Sequence, residues 1–548
     1  MDPNLNKPYP LDRDWICAKA SNTAILSDQE IWVAKSLLSE TLKDVEHLNL
    51  EITHAPEILD DLVIRRDEEV ARADKIRIVI APHKRVPPEI LSEIFAQTIE
   101  GIPLMLPLRF KWTRWPWPLR SVCSLWRRIA ISDRRLWDSI EVSIWDWSPS
   151  LGHRLSQTLT QIWLPFRAGV GPSKLKIDVD GEACVDQNII HPITYLLFPF
   201  LPSLRKLYLQ LPLSWCLALL DAPALNLTHL ETLSLECTVD DCVIDHPGCS
   251  IFGECLTATD VFSMSPSLRK LRIRDISYLE SFDNGPFPWA QLTDLDLSQA
   301  ETKTVEAIRI LQQCTQLVGC SLMTTGFADP NEITDNHIVL PYLQSLAWLR
   351  YDINEYAFGP LIAPSLKEFH VSSIFITEVL SMIQNFEISI ELFQFENIFD
   401  RDRQLSPHLE EIISRLPSLV EFETSYQVPL STLEKVLSGE LLPHLKVLEC
   451  TIPSESVDSF IATIEGHLQD KGGSRATLSK FIGMLLPSSQ PVFESAKKHV
   501  ERIRDQYGVD FQLRENRFGC ILALRRRILV EEMADYKMLV YQGDLPTA

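Results

Sequence analysis

Two hydrophobic periods run along the chain. From about residue 165 onward, leucine and its apolar substitutes fall at L-x-x-L-x-L spacing: Leu204/Leu207/Leu209, Leu230/Leu233/Leu235, Leu268/Leu271/Ile273 and Leu292/Leu295/Leu297. The unit returns as Leu317/Cys320/Leu322, Leu343/Leu346/Trp348, Leu366/Phe369/Val371, Ile390/Phe393/Phe395, an imperfect Leu419/Phe422/Thr424, and Leu445/Leu448/Cys450. Successive first positions lie 26, 38, 24, 25, 26, 23, 24, 29 and 26 residues apart, and Pro-Ser or Pro-His often introduces the unit. Alternating apolar positions predict a short strand buried on one face. Helical patterns fall between strands, at Lys303 to Gln313 and Thr377 to Asn385. Ser479 to Leu485, Val492 to Gln506 and Val509 to Leu513 read as a final strand, helix and strand, and Arg525 to Tyr541 as a terminal helix over the last open edge.

A period of about 20–29 residues with one strand per unit is that of leucine-rich repeats. The expected fold is therefore α/β: N-terminal helices, then an irregular leucine-rich-repeat-like solenoid with parallel strands over residues 165–515, closed by a capping helix and tail at 516–548. The long interval after Leu230 holds an insertion near Asp240 to Leu256. The first eighty residues follow a helical period instead. Ser27-x-x-Glu30 has the form of a capping box, and Ile31, Leu38, Val45, Ile52 and Leu59 recur every seven residues. That seam suits a coiled-coil dimer, but Pro56 interrupts it. A helical hairpin is the favoured expectation, with the dimer as its alternative.

Residues 82–147 join these regions. Pro87-Pro88 suits a first helical turn, where a missing N–H costs nothing. Ile90, Leu91, Ile94 and Phe95 then share one apolar helix face, and Val122, Trp126 and Ile129 make another beside Cys123 and Ala130. Helices this short do not bury both faces against each other alone. The pattern Val-Pro-Pro-Glu-Ile-Leu-x-x-Ile-Phe from Val86, then Val-Cys-x-x-Trp-Arg-x-Ile-Ala from Val122, then Leu136-Trp137, resembles the F-box. It is most similar to fungal F-box proteins with a leucine-rich-repeat-like region behind the motif. Val86 stands at the usual first leucine, and residues 101–118 separate the helices. The resemblance implies a non-catalytic substrate receptor of a Skp–cullin–F-box ubiquitin ligase, monomeric within that complex. It implies adaptor contact through Val86, Pro87, Pro88, Ile90, Leu91, Ile94, Phe95, Val122, Cys123, Trp126, Ile129, Leu136 and Trp137, and reaches cullin through the Skp adaptor. A scaffold acting outside ubiquitination is the alternative.

Charge narrows the partners. The net charge is −22, which argues against general nucleic-acid binding. Residues 82–137 nevertheless carry +6 against −28 for the remainder, so this basic module suits an acidic adaptor. Arg109 to Trp117 interleaves cations with large aromatics and reads as a loop capping the F-box helices rather than a base-stacking or membrane surface. No membrane segment is expected. The cysteines, with no C-x-x-C pair, read as reduced thiols of a cytoplasmic or nuclear protein. Cys237, Cys242, His246, Cys249 and Cys255 lack the paired spacing of structural zinc sites, and no nucleotide-loop or hydrolase motif occurs. No metal or cofactor is expected. The candidate target-binding residues are alternating strand positions: basic Lys270, Arg272 and Arg274, and acidic Glu396, Glu421, Glu423 and Glu449.

Overall fold

A computed structural model describes residues 16–17, 20, 26–54, 59–80, 85–98, 103–106, 117–144, 155, 157, 173–179, 201–220, 227–238, 261–262, 265–279, 287–325, 338–350, 361–372, 379–380, 383, 390–396, 409–452, 456–469, 478–485 and 490–515. The chain divides into two compact units, Met1–Glu141 and Val142–Ala548. Among the described residues no helix is long and apolar enough to cross a membrane.

The first unit is helical. Helix α1 (Asp28–His54) and helix α2 (Leu59–Val79) pack as a hairpin. The capping box at its start is present: Glu30 Oε2 accepts from the Ser27 N–H at 2.9 Å, and Ser27 Oγ accepts from the Glu30 N–H at 3.3 Å. Ile31, Ala34 and Leu37 of α1 are buried with Ile76 and Val79 of α2 and with Ile16 and Leu26. Of the seven-residue seam, Ile31 is buried, Leu38 packs against the same cluster and Val45 is half-buried, while the side chains of Ile52 and Leu59 lie outside the description. Pro56 lies outside the described residues. Helices α3 (Pro88–Thr98), α4 (Trp117–Val122) and α5 (Ser124–Ser132) follow, with a 3-10 turn at Arg134–Trp137. The aromatic and basic stretch at 107–116 is outside the described residues.

The second unit contains a parallel sheet whose strands pair in chain order. They are β1 (Lys174–Val179), β2 (Lys206–Pro212), β3 (Thr232–Thr238), β4 (Lys270–Leu279), β5 (Asp294–Lys303), β6 (Gly319–Thr325) and β7 (Ser345–Arg350). After them come β8 (Glu368–Ser372), β9 (Leu392–Glu396), β10 (Glu421–Gln427), β11 (Val447–Ile452), β12 (Lys480–Leu485) and β13 (Asp510–Glu515). The leucine positions align from strand to strand: Leu207 faces Leu233, which faces Leu271, then Leu295, Cys320, Leu346, Phe369, Phe393, Phe422 and Leu448. All of these are buried. Each fully buried apolar side chain contributes about 1.5–3 kcal/mol, so the row is a continuous core that no single repeat could form alone.

Proline before the strand has a structural reason. Leu268, Leu343, Leu366, Leu419 and Leu445 each donate their N–H to the carbonyl three residues back, at Ser265, Leu340, Ala363, Leu416 and Leu442. The second residue of each turn is Pro266, Pro341, Pro364, Pro417 or Pro443, where proline's fixed φ favours a β-turn and its missing N–H is not needed. Beyond the turn, one carbonyl accepts two consecutive N–H groups from the next strand: Glu231 O from Arg269 and Lys270, Gln344 O from Lys367 and Glu368, Val420 O from Lys446 and Val447. Helices α6 (Leu213–Leu220), α7 (Thr304–Gln313), α8 (Leu409–Ser414), α9 (Leu430–Leu437), α10 (Val457–Gln469) and α11 (Gln490–Tyr507) lie in the return arms. The predicted helix at 525–541 and the insertion at 240–256 lie outside the described residues.

Candidate functional site

The expected single face on α3 divides in two. Leu91 and Phe95, four residues apart, are buried, with 3% and 1% of their surface exposed. Ile90 and Ile94, also four apart, are 52% and 46% exposed. Pro87 is exposed one turn before Ile90, and its carbonyl accepts the Leu91 N–H at 3.0 Å, which fixes it on the first turn. Val86 and Pro88 are half-buried.

The second expected face is interrupted. Val122 ends α4, and the chain is extended at Cys123 (φ −159°) before α5 begins. Cys123 caps α5, its Sγ accepting from the Trp126 N–H at 3.5 Å. Val122 is exposed, whereas Ile129 on α5 is buried with Leu125 and Ala130. The one-helix reading of Val122, Trp126 and Ile129 is thus corrected: a cap falls between the first of them and the other two. Trp126 is half-buried against the Phe95 ring at 4.7 Å. Leu136 and Trp137 are buried, and the Trp137 indole N–H donates to Ala130 O at 2.7 Å. The structure therefore puts Leu91, Phe95, Ile129, Leu136 and Trp137 in the core, and leaves Pro87, Ile90, Ile94 and Val122 in contact with water.

A polar network that sequence spacing did not suggest ties α3 to the 3-10 turn. The Ser92 hydroxyl donates to Asp133 Oδ2, and Asp133 Oδ1 accepts from the Arg135 N–H at 3.1 Å. The Arg135 guanidinium bridges Asp133 at 3.0 Å and Glu93 at 2.7 Å. Burial pushes the Asp133 carboxyl up, but hydrogen bonds from Arg135 and Ser92 outweigh it and hold the group below the ordinary carboxylate range. Arg135 is committed within the module, while Arg127, Arg128 and Arg134 are exposed.

No family model and no curated protein matches this chain. Among solved structures, the crystal structure of the Rad7 and Elc1 complex in yeast is similar at a TM-score of 0.28 and 13% identity, over 78% of this chain and 93% of that one. The functional reading accordingly rests on the geometry of the two sites themselves.

The second site is the charged face of the sheet. Its basic strand is answered by its neighbours: Arg272 pairs with Asp296 at 2.8 Å, Lys270 with Asp294 at 3.4 Å and Arg274 with Glu236 at 4.0 Å. Each pair stands directly opposite in register. The basic strand is thus a set of cross-strand ion pairs. The acidic positions are arranged differently. Glu423 and Glu449 are direct register partners, Gln394 faces Glu423, and Glu421 faces Leu392 and Val447. Glu396 is buried rather than open; its Oε1 accepts from Gln394 Nε2 at 2.7 Å, and its Oε2 lies 3.8 Å from His370 Nε2. Burial, and then the nearby Glu423, pushes the Glu449 carboxyl up, against the pull of Arg514 and Lys480. Of the cysteine and histidine cluster only Cys237 is described, buried in β3; the other members lie outside the described residues.

Proposed function

We propose that this chain is the target-recognition subunit of a Skp–cullin–F-box type ubiquitin ligase. A Skp-type adaptor docks on the exposed apolar positions of α3 and α4, and the charged face of the sheet presents a target protein. The observation that carries the reading is the division of α3. A helix that buried Leu91 and Phe95 merely to complete a subdomain would have no use for Pro87, Ile90 and Ile94 in water. The surrounding exposed arginines favour an acidic partner and speed its approach. The chain supplies proximity and orientation, not reacting groups. Affinity purification of the full chain, read by mass spectrometry, tests this. Recovery of a Skp adaptor together with a cullin supports the receptor; an adaptor without cullin supports a scaffold outside ubiquitination; recovery of neither refutes both.

A further inference from the structure

The docking row does not end at Pro87. Two residues before it, the Arg85 guanidinium binds Asp28 Oδ1 at 2.6 Å, fixing the entry segment to the first turn of α1. Asp28 and Trp32 are four residues apart in that helix and so lie on the same face, about 5–6 Å from each other. Trp32 is 70% exposed, although its helix neighbours Ile31 and Ala34 are buried. We propose that Trp32 extends the adaptor-docking face onto the α1–α2 hairpin, so that one partner rests on Trp32, Pro87, Ile90 and Ile94 together. The inference rests on the docking role argued above and adds a second element to it.

A second copy of this chain is the competing occupant. A helix that pairs with its own copy needs an apolar stripe, repeated at three- and four-residue spacing. The positions that follow Trp32 on its face are Lys35, Ser36 and Ser39, all polar and exposed. The face of α1 that does carry the stripe is already packed against α2. The Arg85–Asp28 ion pair joins the first turn of α1, one turn before Trp32, to the segment that leads into Pro87. That pair is exposed, so it positions the hairpin more than it stabilises it. Tryptophan is among the residue types enriched where a few side chains dominate an interface.

The test is binding of a recombinant Skp-type adaptor to the full chain by isothermal titration calorimetry. Trp32→Ala should weaken affinity on the order of tenfold, with helical circular dichroism unchanged, and Trp32→Phe should restore most of it. Arg85→Ala should weaken binding by less, since Trp32 remains but its placement loosens. If Ile90→Ala with Ile94→Ala has no effect, the docking role itself fails. If that pair weakens binding and Trp32→Ala does not, the docking role stands and the hairpin extension is overturned. If sedimentation shows Trp32→Ala dissociating a dimer while adaptor affinity holds, the occupant is a second copy, and the extension is again overturned.

Discussion

Replacing Ile90 and Ile94 together by alanine perturbs the proposed docking face more than the packing beneath it. About half of each side chain is in water, 52% and 46% exposed. Full burial of an isoleucine is worth about 1.5–3 kcal/mol, so covering the remaining half of each contributes roughly 0.8–1.5 kcal/mol, or about 1.5–3 kcal/mol for the pair. On the proposed reading that is roughly a 10- to 150-fold loss of adaptor affinity. Alanine has the higher helix propensity, so α3 itself should not suffer. Leu91→Ala acts through a different route: it opens a cavity beneath the helix and costs about 2–5 kcal/mol of stability, lowering binding because the module loosens. Titration calorimetry against a Skp-type adaptor, with thermal unfolding of the same samples, separates the two. Unchanged affinity in the double variant, or a melting loss as large as that of Leu91→Ala, would refute the division of α3 into an inner and an outer face.

Asp133→Asn should lower stability by about 1–2 kcal/mol at neutral pH, since hydrogen bonds to a charged group are lost. Its carboxyl is held below the ordinary range, so the contribution is full above about pH 4 and disappears as pH falls through the folded-state value; melting curves of the two proteins should converge in acid. Glu449→Gln should act oppositely. The Glu449 carboxyl is raised, so its ionisation opposes folding as pH rises through the folded-state value, and glutamine should stabilise by about 0.5–1 kcal/mol at pH 7 with no gain in acid. Neutralising Arg127, Arg128 and Arg134 should flatten the salt dependence of the adaptor on-rate, as the Debye length shrinks from about 10 Å at 0.1 M toward 3 Å at 1 M. Stopped-flow rates that do not depend on salt in the wild type would remove that argument. Arg135 is unsuitable for the test because it bridges Glu93 and Asp133.

The repeat fold was legible because two independent signals agree. The leucine period sets the strand spacing, and proline marks the turn before the strand. Even the imperfect unit at Leu419 pairs in register, with Phe422 opposite Phe393 and Leu448. Strand β1 was not recognised as a repeat because Pro172-Ser173 leads directly to Leu175 and Ile177, without the leading leucine. The stretch from Val86 to Trp137 was legible as helices but not as inner and outer faces. Ile90/Ile94 and Leu91/Phe95 satisfy the same four-residue spacing, and tertiary packing, such as that of Trp126 on Phe95, decides which pair turns inward. The cap at Cys123 was hidden for a related reason: cysteine is not among the preferred capping residues, and apolar spacing runs unbroken across it. The Ser92–Asp133 contact joins residues 41 apart, a separation that no local pattern encodes.

The charged sheet face carries a contrast that a single architecture does not require. Across β3, β4 and β5 opposite charges face each other in register and cancel. Across β10 and β11 the same geometry sets Glu423 against Glu449, a like-charge rung of the kind that disfavours pairing. Solubility alone is served equally well by acids on different rungs or by rungs of opposite sign, as the earlier strands demonstrate. On the proposed reading, the cost of the like-charge rung is offset when a basic segment of the target lies across it, and the self-cancelling strands are the structural part of the same face. The proposed docking module has the reverse sign, +6 over residues 82–137 against −28 for the rest. An acidic adaptor and a basic target segment would each be repelled by the other's site, so electrostatics alone would sort the two partners before any apolar contact forms.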